Sequence, residues 1–534
     1  MVMSNSFSAL VQWLSRPESY PHPVQTVEVC QTHISVVFLA GEFAYKLKRP
    51  VRFDFLDFST VDRREQACRE EVSLNRRLAP EIYLGVVPIA QTADGSFEFH
   101  GNGPALDWLV HMRRLPIGQS LERLLESGNL LPSHIERLAR MLADFYRLLP
   151  ALPLNASEYN TRYVAHIRGN LDELLAVAHH CPPDAIRRIH GFQLQLLHLQ
   201  PELFDQRVQA GRVVEGHGDL RPEHVCFTEP IAIFDCIEFN ADFRRIDVAD
   251  ELAFLATECD FMGAPWIGRQ LFQTIGSLLD DHPPAVLIDF YKSYRACVRA
   301  KVNALRADQL SGSEQKRAAA VALQHIQLAD TYIQPHLQPL LVVVGGLSGT
   351  GKSTLARKIA AALGCELLQT DAIREELYGK SASPDAFGEG SYLPDARQRV
   401  YAKLMRRAES RLRGAISVVL DGTFSSSQWL QESRQLAVNQ HCIFLAVECR
   451  CDPDVARHRI GKRLRQGGDS SEMRPELYRL QAAAWEPWPH DEFYVDVDTQ
   501  QPLELQMQQC LSKLKTAARQ RTHDQARTTK SRHG

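Results

Sequence analysis

The chain has 534 residues, 44% of them hydrophobic and 23% charged, with a net charge of −3. A single core stops growing near about 250–300 residues, so two domains are expected, and no apolar run approaches the roughly 18 residues of a membrane span. The near-neutral balance excludes a surface that coats nucleic acid broadly.

The start, MVMSNSFSALVQWLSRPE, lacks the basic segment, long apolar stretch and small-residue cleavage site of a secretory signal, so a cytoplasmic location is expected. The 12 cysteines are scattered with no CxxC, and only Cys449 and Cys451 lie close together. Reduced, mostly buried thiols are therefore expected, rather than a disulfide framework or a zinc ribbon.

Residues 24 to 110 read as short strands with one helix. ISVVFLAGEFAYKLKRPV is an apolar run, a glycine turn and a second run, and RREQACREEVSLNRRLA is helical. From 111 to 335 the pattern is mostly helical, broken by EGHGDLRPEHVCF and IAIFDCIEF. Here His217, Asp219 and Asp235 form H-x-D followed by an aspartate at the end of an apolar strand. A phosphotransferase needs one carboxylate beside the acceptor hydroxyl and another holding Mg²⁺ against ATP; Asp219 suits the first role and Asp235 the second. His217, His224 and Cys226 are of zinc-ligating type, but their spacing matches no common zinc site.

This stretch resembles the catalytic loop of aminoglycoside and choline phosphotransferases, the small-molecule relatives of protein kinases, over roughly residues 25 to 330. The resemblance implies an α+β, bilobal protein-kinase-like fold that takes ATP. Lys46 would contact the nucleotide phosphates, Glu71, or else Glu70, would be its ion-pair partner, and DWLVHMRRLP would be the hinge for adenine. On residue pattern alone, Lys46 reads also as an exposed strand lysine and Glu71 as a solvated helix residue. Two departures stand out. His224 occupies the position where the family has a Mg²⁺-ligating asparagine, and neutral imidazole is a poor ligand for a hard cation. FLAGEFAYK also has a single glycine where a phosphate-covering loop often has several. Either the site works with fewer metal contacts, with Glu223 helping, or it binds nucleotide without transferring phosphate.

Pro335 and Pro339, in YIQPHLQPLLVVV, mark a domain boundary near 336. Beyond it strands and helices alternate, which predicts an α/β domain with a doubly wound parallel sheet. The expected organisation is thus a first domain over 1–335, a second over 336–515 and a basic, disordered tail over 516–534. GGLSGTGKST carries the pattern GxxxxGK[ST] between a strand and a helix. Gly346, Gly349 and Gly351 let the backbone turn its N–H groups onto phosphate oxygens, Lys352 reaches the outer phosphates, and Ser353, followed by Thr354, supplies a hydroxyl to Mg²⁺. Asp371 lies just past the next strand with Arg374 one turn later, and reads as a site residue or a helix cap. Asp421, ending another strand, reads as a Mg²⁺ partner or a turn residue beside Gly422. Arg459, Arg463 and Arg465 lie on a basic helix before a Gly-Gly turn, either a solvated face or a lid that brings arginines onto phosphate charge.

At these residues the second half resembles P-loop kinases of the polynucleotide kinase, zeta toxin and gluconate kinase type, over about 340 to 500. The likeness implies Asp371 as the base that takes the acceptor's proton, with Arg374 holding substrate or transition-state charge. AYKLKRPV, EVSLNRRLAPEIYLGVVPI, HGDLRPEHV, FDCIEFN and RRIDVADELAFL together resemble bacterial two-domain proteins that join an aminoglycoside-phosphotransferase-like domain to a P-loop kinase. The expected activity is tandem phosphoryl transfer from ATP to hydroxyl groups of small molecules. Two alternatives are a regulatory first half and, prompted by TDAIR and the basic tail, a second half acting on nucleic-acid 5′-hydroxyls.

Overall fold

The computed structural model describes residues 5–53, 56–92, 95–101, 103–379, 393–466 and 478–532. Packing divides the chain into two units, Met1–Leu154 with Arg207–Arg295 and Asn155–Gln206 with Ala296–Gly534.

The first unit is built on an antiparallel sheet in the order Val27–Gln31, Ser35–Ala40, Phe43–Lys48, Ala105–Arg113, Tyr83–Gln91, Phe97–Phe99. Successive strand residues point to opposite faces. Tyr45 and Leu47 therefore enter one apolar cluster with Phe38, Ile89 and Leu109, while Lys46 and Lys48 share the opposite face. The helix Val61–Asn75 starts at Thr60, whose side chain accepts the Arg63 N–H, and is fastened by a buried two-pronged pair of Arg64 with Asp107 at 2.9–3.1 Å. Asp107 opens DWLVHMRRLP, the segment expected to be the hinge; its strand, Ala105–Arg113, runs inside the sheet between two others. In the helical part, two short antiparallel pairs, Val213–Glu215 with Arg245–Asp247 and Val225–Cys226 with Ala232–Ile233, frame the loop that contains HGDLRPEH.

The second unit holds a five-stranded, wholly parallel sheet in the order Glu366–Gln369, Val418–Asp421, Leu340–Gly345, Ile443–Arg450, Tyr494–Asp498. Its central strand is buried along its whole length. Leu340, Val342 and Val344 enter one apolar cluster, and Leu341 and Val343 another. Both faces are therefore covered, as a continuous apolar strand demands.

The packing division differs from a single cut near 336. The helices Ala156–Ala176, Pro183–Leu199 and Gly312–Ile333 are grouped, wholly or in the main, with the parallel sheet. Gly191 packs on Gly364 so closely that a Cβ on Gly364 would meet Gly191 Cα at 2.8 Å. Gln195 Nε2 donates to Leu363 O and Ser417 Oγ, both at 3.0 Å, and Leu199 enters the sheet's apolar cluster. Such pairings between distant residues leave no periodicity in the sequence.

The expected disordered tail is drawn here as helix. The last helix runs Leu503–Arg532 and so continues through 516–532. The stretch KTAARQRTHDQARTTK lacks proline and glycine and is rich in Ala, Gln, Arg and Lys, which favour helix. All 12 cysteines are free, and ten of them are at least half-buried or buried outright besides Cys365, with Cys30 exposed. Among the described residues no helix is long and apolar enough to cross a membrane.

Candidate active sites

In the first unit, Lys46 Nζ donates to Glu71 Oε1 at 2.8 Å and to Asp235 Oδ1 at 2.7 Å. The lysine from the sheet, the glutamate from the helix and the aspartate from the loop thus meet at one ammonium. Lys46 is not an exposed strand lysine, and the partner is Glu71; Glu70 instead lies 3.5 Å from Arg244. Burial alone would lower the Lys46 pKa, but Asp235 and then Glu71 outweigh it and hold it well above the ordinary value. Burial raises the Asp235 carboxyl, yet Lys46 and His224 pull it far below its usual range.

Sequence reasoning missed a second layer. Lys48, 1% exposed, donates to Glu71 Oε2 at 2.6 Å and pairs with Glu238. Its signal was available, because Lys48 is two residues from Lys46 and a strand places both on one face. Glu238 had only its position three residues after Asp235. The loop is tied to the helix as well, since Cys236 N–H donates to Asn75 Oδ1 at 2.9 Å and Asn75 Nδ2 to Glu71 O at 2.8 Å.

Asp219 and Asp235 flank the His224 ring. Asp219 Oδ2 is 3.7 Å from Nδ1, and Asp235 Oδ2 is 3.6 Å from Nε2. Both ring nitrogens are already engaged: Nδ1 meets Asp219 O at 2.9 Å, and Nε2 meets the Arg221 guanidinium at 3.2 Å. His224 therefore acts as a spacer between two carboxylates in this arrangement, and Asp235 Oδ2, outside the lysine pair, is the oxygen that would be left to hold a Mg²⁺. Arg221 also binds Asp219 Oδ2 at 2.9 Å and pairs with Glu223. Burial raises the Asp219 carboxyl, but Arg221 and His224 outweigh it and leave it below the ordinary value. His217, His224 and Cys226 do not converge, because His217 Nε2 donates to Phe234 O at 2.9 Å and the Cys226 thiol faces Pro116 O.

The loop hangs on Glu251, which no sequence signal marked. His217 N–H and Gly218 N–H each donate to its Oε1 at 2.6 Å, and Tyr146 Oη donates to Oε2 at 2.8 Å. Burial, and then neighbouring His224, lower the His217 pKa to about 4. A histidine buried neutral must be charged on unfolding in acid, so its contribution is complete above about pH 6.5 and is lost as pH falls from there toward 4. We expect the first unit to lose about 2 kcal/mol between pH 7.5 and pH 5 from this group. Urea melts of wild type and His217→Gln would check it; an equal pH response in both would contradict it.

In the second unit the phosphate loop is set by close backbone approach. Gly346 has φ 144°, and a Cβ there would lie 2.5 Å from Cys449 O; Gly349 has φ 80°, and its Cβ would lie 2.5 Å from Ala456 O. The helix Lys352–Leu363 begins directly at Gly351. First-turn N–H groups lack intrahelical acceptors and suit anions. Here they belong to Lys352 and Ser353, whereas Thr354 N–H donates to Gly351 O at 3.0 Å.

Asp421 pairs in register with Val344 on one side and Gln369 on the other, so it stands at the carboxyl end of the sheet beside the loop. It is 3% exposed. Oδ2 accepts from Gln369 Nε2 at 2.8 Å, while Oδ1 is buried with no hydrogen-bond partner among the described residues. An orphaned buried carboxylate oxygen is costly, and a hydrated Mg²⁺ would satisfy it. The residues thus fit a nucleotide with Mg²⁺: the loop and Lys352 would hold phosphates, and Ser353 and Asp421 the ion.

Asp371 does not cap its helix, Thr370–Tyr378; Gln369 occupies that position, and Asp371 sits in the first turn, paired with Arg374. Both lie in the electrostatic surroundings of Tyr401, whose pKa is pushed up to about 12, mainly by burial, and which lies also in the field of Arg397. Arg397 Nη2 donates to Ser425 Oγ at 2.6 Å. Tyr401 and Arg397 come from the helix Pro394–Arg413 and had no distinguishing motif. Arg459 does not lie on a solvated face: it donates to Thr499 Oγ1 and Thr499 O at 3.2 and 3.1 Å, and Thr499 Oγ1 donates to Thr350 O at 2.5 Å. It therefore buttresses the phosphate loop. Arg463 follows on the same helix, Pro453–Gln466. The Arg465 side chain and the Gly-Gly turn, and with them the expected lid, fall outside the described residues.

Two uncharacterized mycobacterial proteins, Rv2004c of Mycobacterium tuberculosis and Mb2027c of Mycobacterium bovis, are each 33% identical to this chain over 479 residues, which cover 88% of it and 92% of the relative. The chain belongs to their family. The model of an AAA domain family (AAA_33) matches residues 341–487, the stretch that carries the phosphate loop, Asp371 and Asp421. The second unit is accordingly a P-loop nucleotide-binding unit. Among solved structures, the chain is similar to a gluconokinase from Sinorhizobium meliloti 1021 (24% identity, 35% of this chain and 98% of the other, TM-score 0.27). It is also similar to a choline/ethanolamine kinase family protein from Mesorhizobium loti (14%, 61% and 99%, TM-score 0.33).

Proposed function

We propose that the protein is an ATP-dependent phosphotransferase of small hydroxyl compounds, acting in the cytoplasm, with Mg²⁺ held by Ser353 and Asp421. The single observation that carries this reading is Asp421 Oδ1, a buried carboxylate oxygen without a partner among the described residues, beside a complete phosphate loop. When bound, Mg²⁺ neutralises charge on the phosphates. Lys352 contributes a fixed positive charge, and Asp371 accepts the acceptor's proton while Arg374 holds substrate charge. Asp371→Asn in the full chain should lower transfer by about 10²–10⁴-fold with nucleotide binding retained. A panel of radiolabelled phosphoryl acceptors, including sugars, aminoglycosides and 5′-hydroxyl oligonucleotides, reads this directly; unchanged transfer to every acceptor would remove Asp371 from the role. Labelling of oligonucleotides alone would favour the nucleic-acid alternative.

For the domain over 1–335 the reading is a second kinase site with Asp219 as base, Asp235 on Mg²⁺ and Lys46 on the phosphates. It is supported by the meeting of Lys46, Glu71 and Asp235. A second reading, nucleotide binding without transfer, is favoured by Arg221 on Asp219 and by His224 between the two carboxylates. Asp219→Asn separates them: a lost product supports transfer, and an unchanged product profile with intact ATP binding supports a sensing role.

A further inference from the structure

Two adjacent histidines in HHCPPD, a segment that neither nucleotide site uses, turn their rings toward one aspartate. His179 and His180 lie in the turn between the helices Ala156–Ala176 and Pro183–Leu199, and Asp308 is the penultimate residue of the helix Ala285–Gln309. All three residues belong to the second unit. His179 Nε2 is 2.8 Å and His180 Nε2 2.7 Å from the same atom, Asp308 Oδ1. The ring centroids are 4.0 Å apart, and the three ligand atoms all lie within 4.8 Å of one another. No other described group of His, Cys, Asp and Glu side chains meets that condition.

Two neutral imidazoles and one carboxylate form a donor set of borderline softness, matched to first-row transition ions rather than to Mg²⁺ or Ca²⁺, which prefer oxygen alone. With bonds of about 2.0–2.1 Å, a tetrahedral ion spaces its donors about 3.3 Å apart. The two histidine-to-aspartate distances therefore need to open by about half an ångström, with the two imidazole nitrogens already within 4.8 Å of each other. The exposure is graded, 59% for the His179 side chain, 10% for His180 and 39% for Asp308. A half-buried imidazole would thus anchor the ion while water completes its shell.

We propose that His179, His180 and Asp308 form a binding site for a divalent transition ion of the zinc class, joining the turn after one helix to the end of another. Ligation replaces the two N–H to carboxylate contacts: each Nε2 proton passes to solvent, which re-protonates Nδ1 where that nitrogen is bare, and the freed Nε2 lone pair turns on the metal. The ion is held apart from the phosphate loop's Mg²⁺ site, whose donors are a hydroxyl and a carboxylate.

The test uses Co²⁺ on the full-length, nucleotide-free chain, because its visible spectrum distinguishes nitrogen and oxygen ligands from thiolates. Wild type should bind one equivalent with d–d bands and no thiolate charge-transfer band, and Zn²⁺ should displace it. His180→Ala and Asp308→Asn should each weaken Co²⁺ binding at least tenfold. Zn²⁺ should raise the melting temperature of wild type and not of these variants, as a ligand of the folded state must. His179→Ala, at an exposed position where folding is not at stake, should weaken binding as well. Equal Co²⁺ affinity in wild type and all three variants, or a thiolate spectrum in wild type, overturns the site.

Discussion

Lys352→Ala should lower phosphoryl transfer by about 10²–10³-fold, the usual cost of deleting one preorganised charge at a developing anion. The measurement is best made in a chain that also carries Asp219→Asn, so that only the second unit is read. The size follows from placement. Lys352 is the first residue of a helix whose preceding loop is fixed by Gly346 and Gly349 against Cys449 O and Ala456 O. Arg459 and Thr499 brace the same loop through Thr350 O. Asp421→Asn should act differently, weakening Mg²⁺ dependence more than nucleotide binding, because it removes charge from the one orphaned oxygen and leaves the loop intact. A Lys352→Ala chain with wild-type turnover would refute a phosphate site at this loop.

Glu71→Gln should destabilise the first unit by about 3–5 kcal/mol, the range for breaking a buried ion pair by removing one partner. Each carboxylate oxygen of Glu71 holds one lysine, Oε1 on Lys46 and Oε2 on Lys48, and Glu71 and Lys48 are both out of solvent. Burial raises the Glu71 carboxyl, but Lys46 and Lys48 outweigh it and keep it charged. The amide keeps one acceptor oxygen but no charge, and its NH₂ opposes the other lysine, so Glu238 and Asp235 are the remaining paired carboxylates of Lys48 and Lys46. A two-unit chain need not unfold in one step, so hydrogen exchange of the strand Phe43–Lys48 is the appropriate measurement. Adding Lys48→Met to Glu71→Gln should recover part of the loss, since an apolar side chain removes the orphaned charge. Unchanged exchange in Glu71→Gln would mean that the paired lysines carry no net stability.

Local chemistry explains which parts of this protein were legible in advance. The phosphate loop depends on glycine backbone freedom and a lysine at fixed spacing, all within ten residues, so GGLSGTGKST states it outright. The parallel sheet is written in short apolar runs such as LLVVV, because a strand buried on both faces has no polar alternation. Asp219 and Asp235 were singled out from residue type and spacing, and Lys46 only through the resemblance to the phosphotransferases.

Tertiary structure alone decided the remainder. Glu251 serves the HGD loop from a helix more than thirty residues away, and Tyr401, on a helix without a motif of its own, lies in the fields of Arg397, Arg374 and Asp371. The grouping of Asn155–Gln206 with the parallel sheet rests on contacts such as Gly191 on Gly364, across more than 170 residues. Spacing along a chain encodes only what a single turn, strand or helix can bring together; ion pairs and packing between elements depend on chain crossings, whose loop-closure cost carries no local signature.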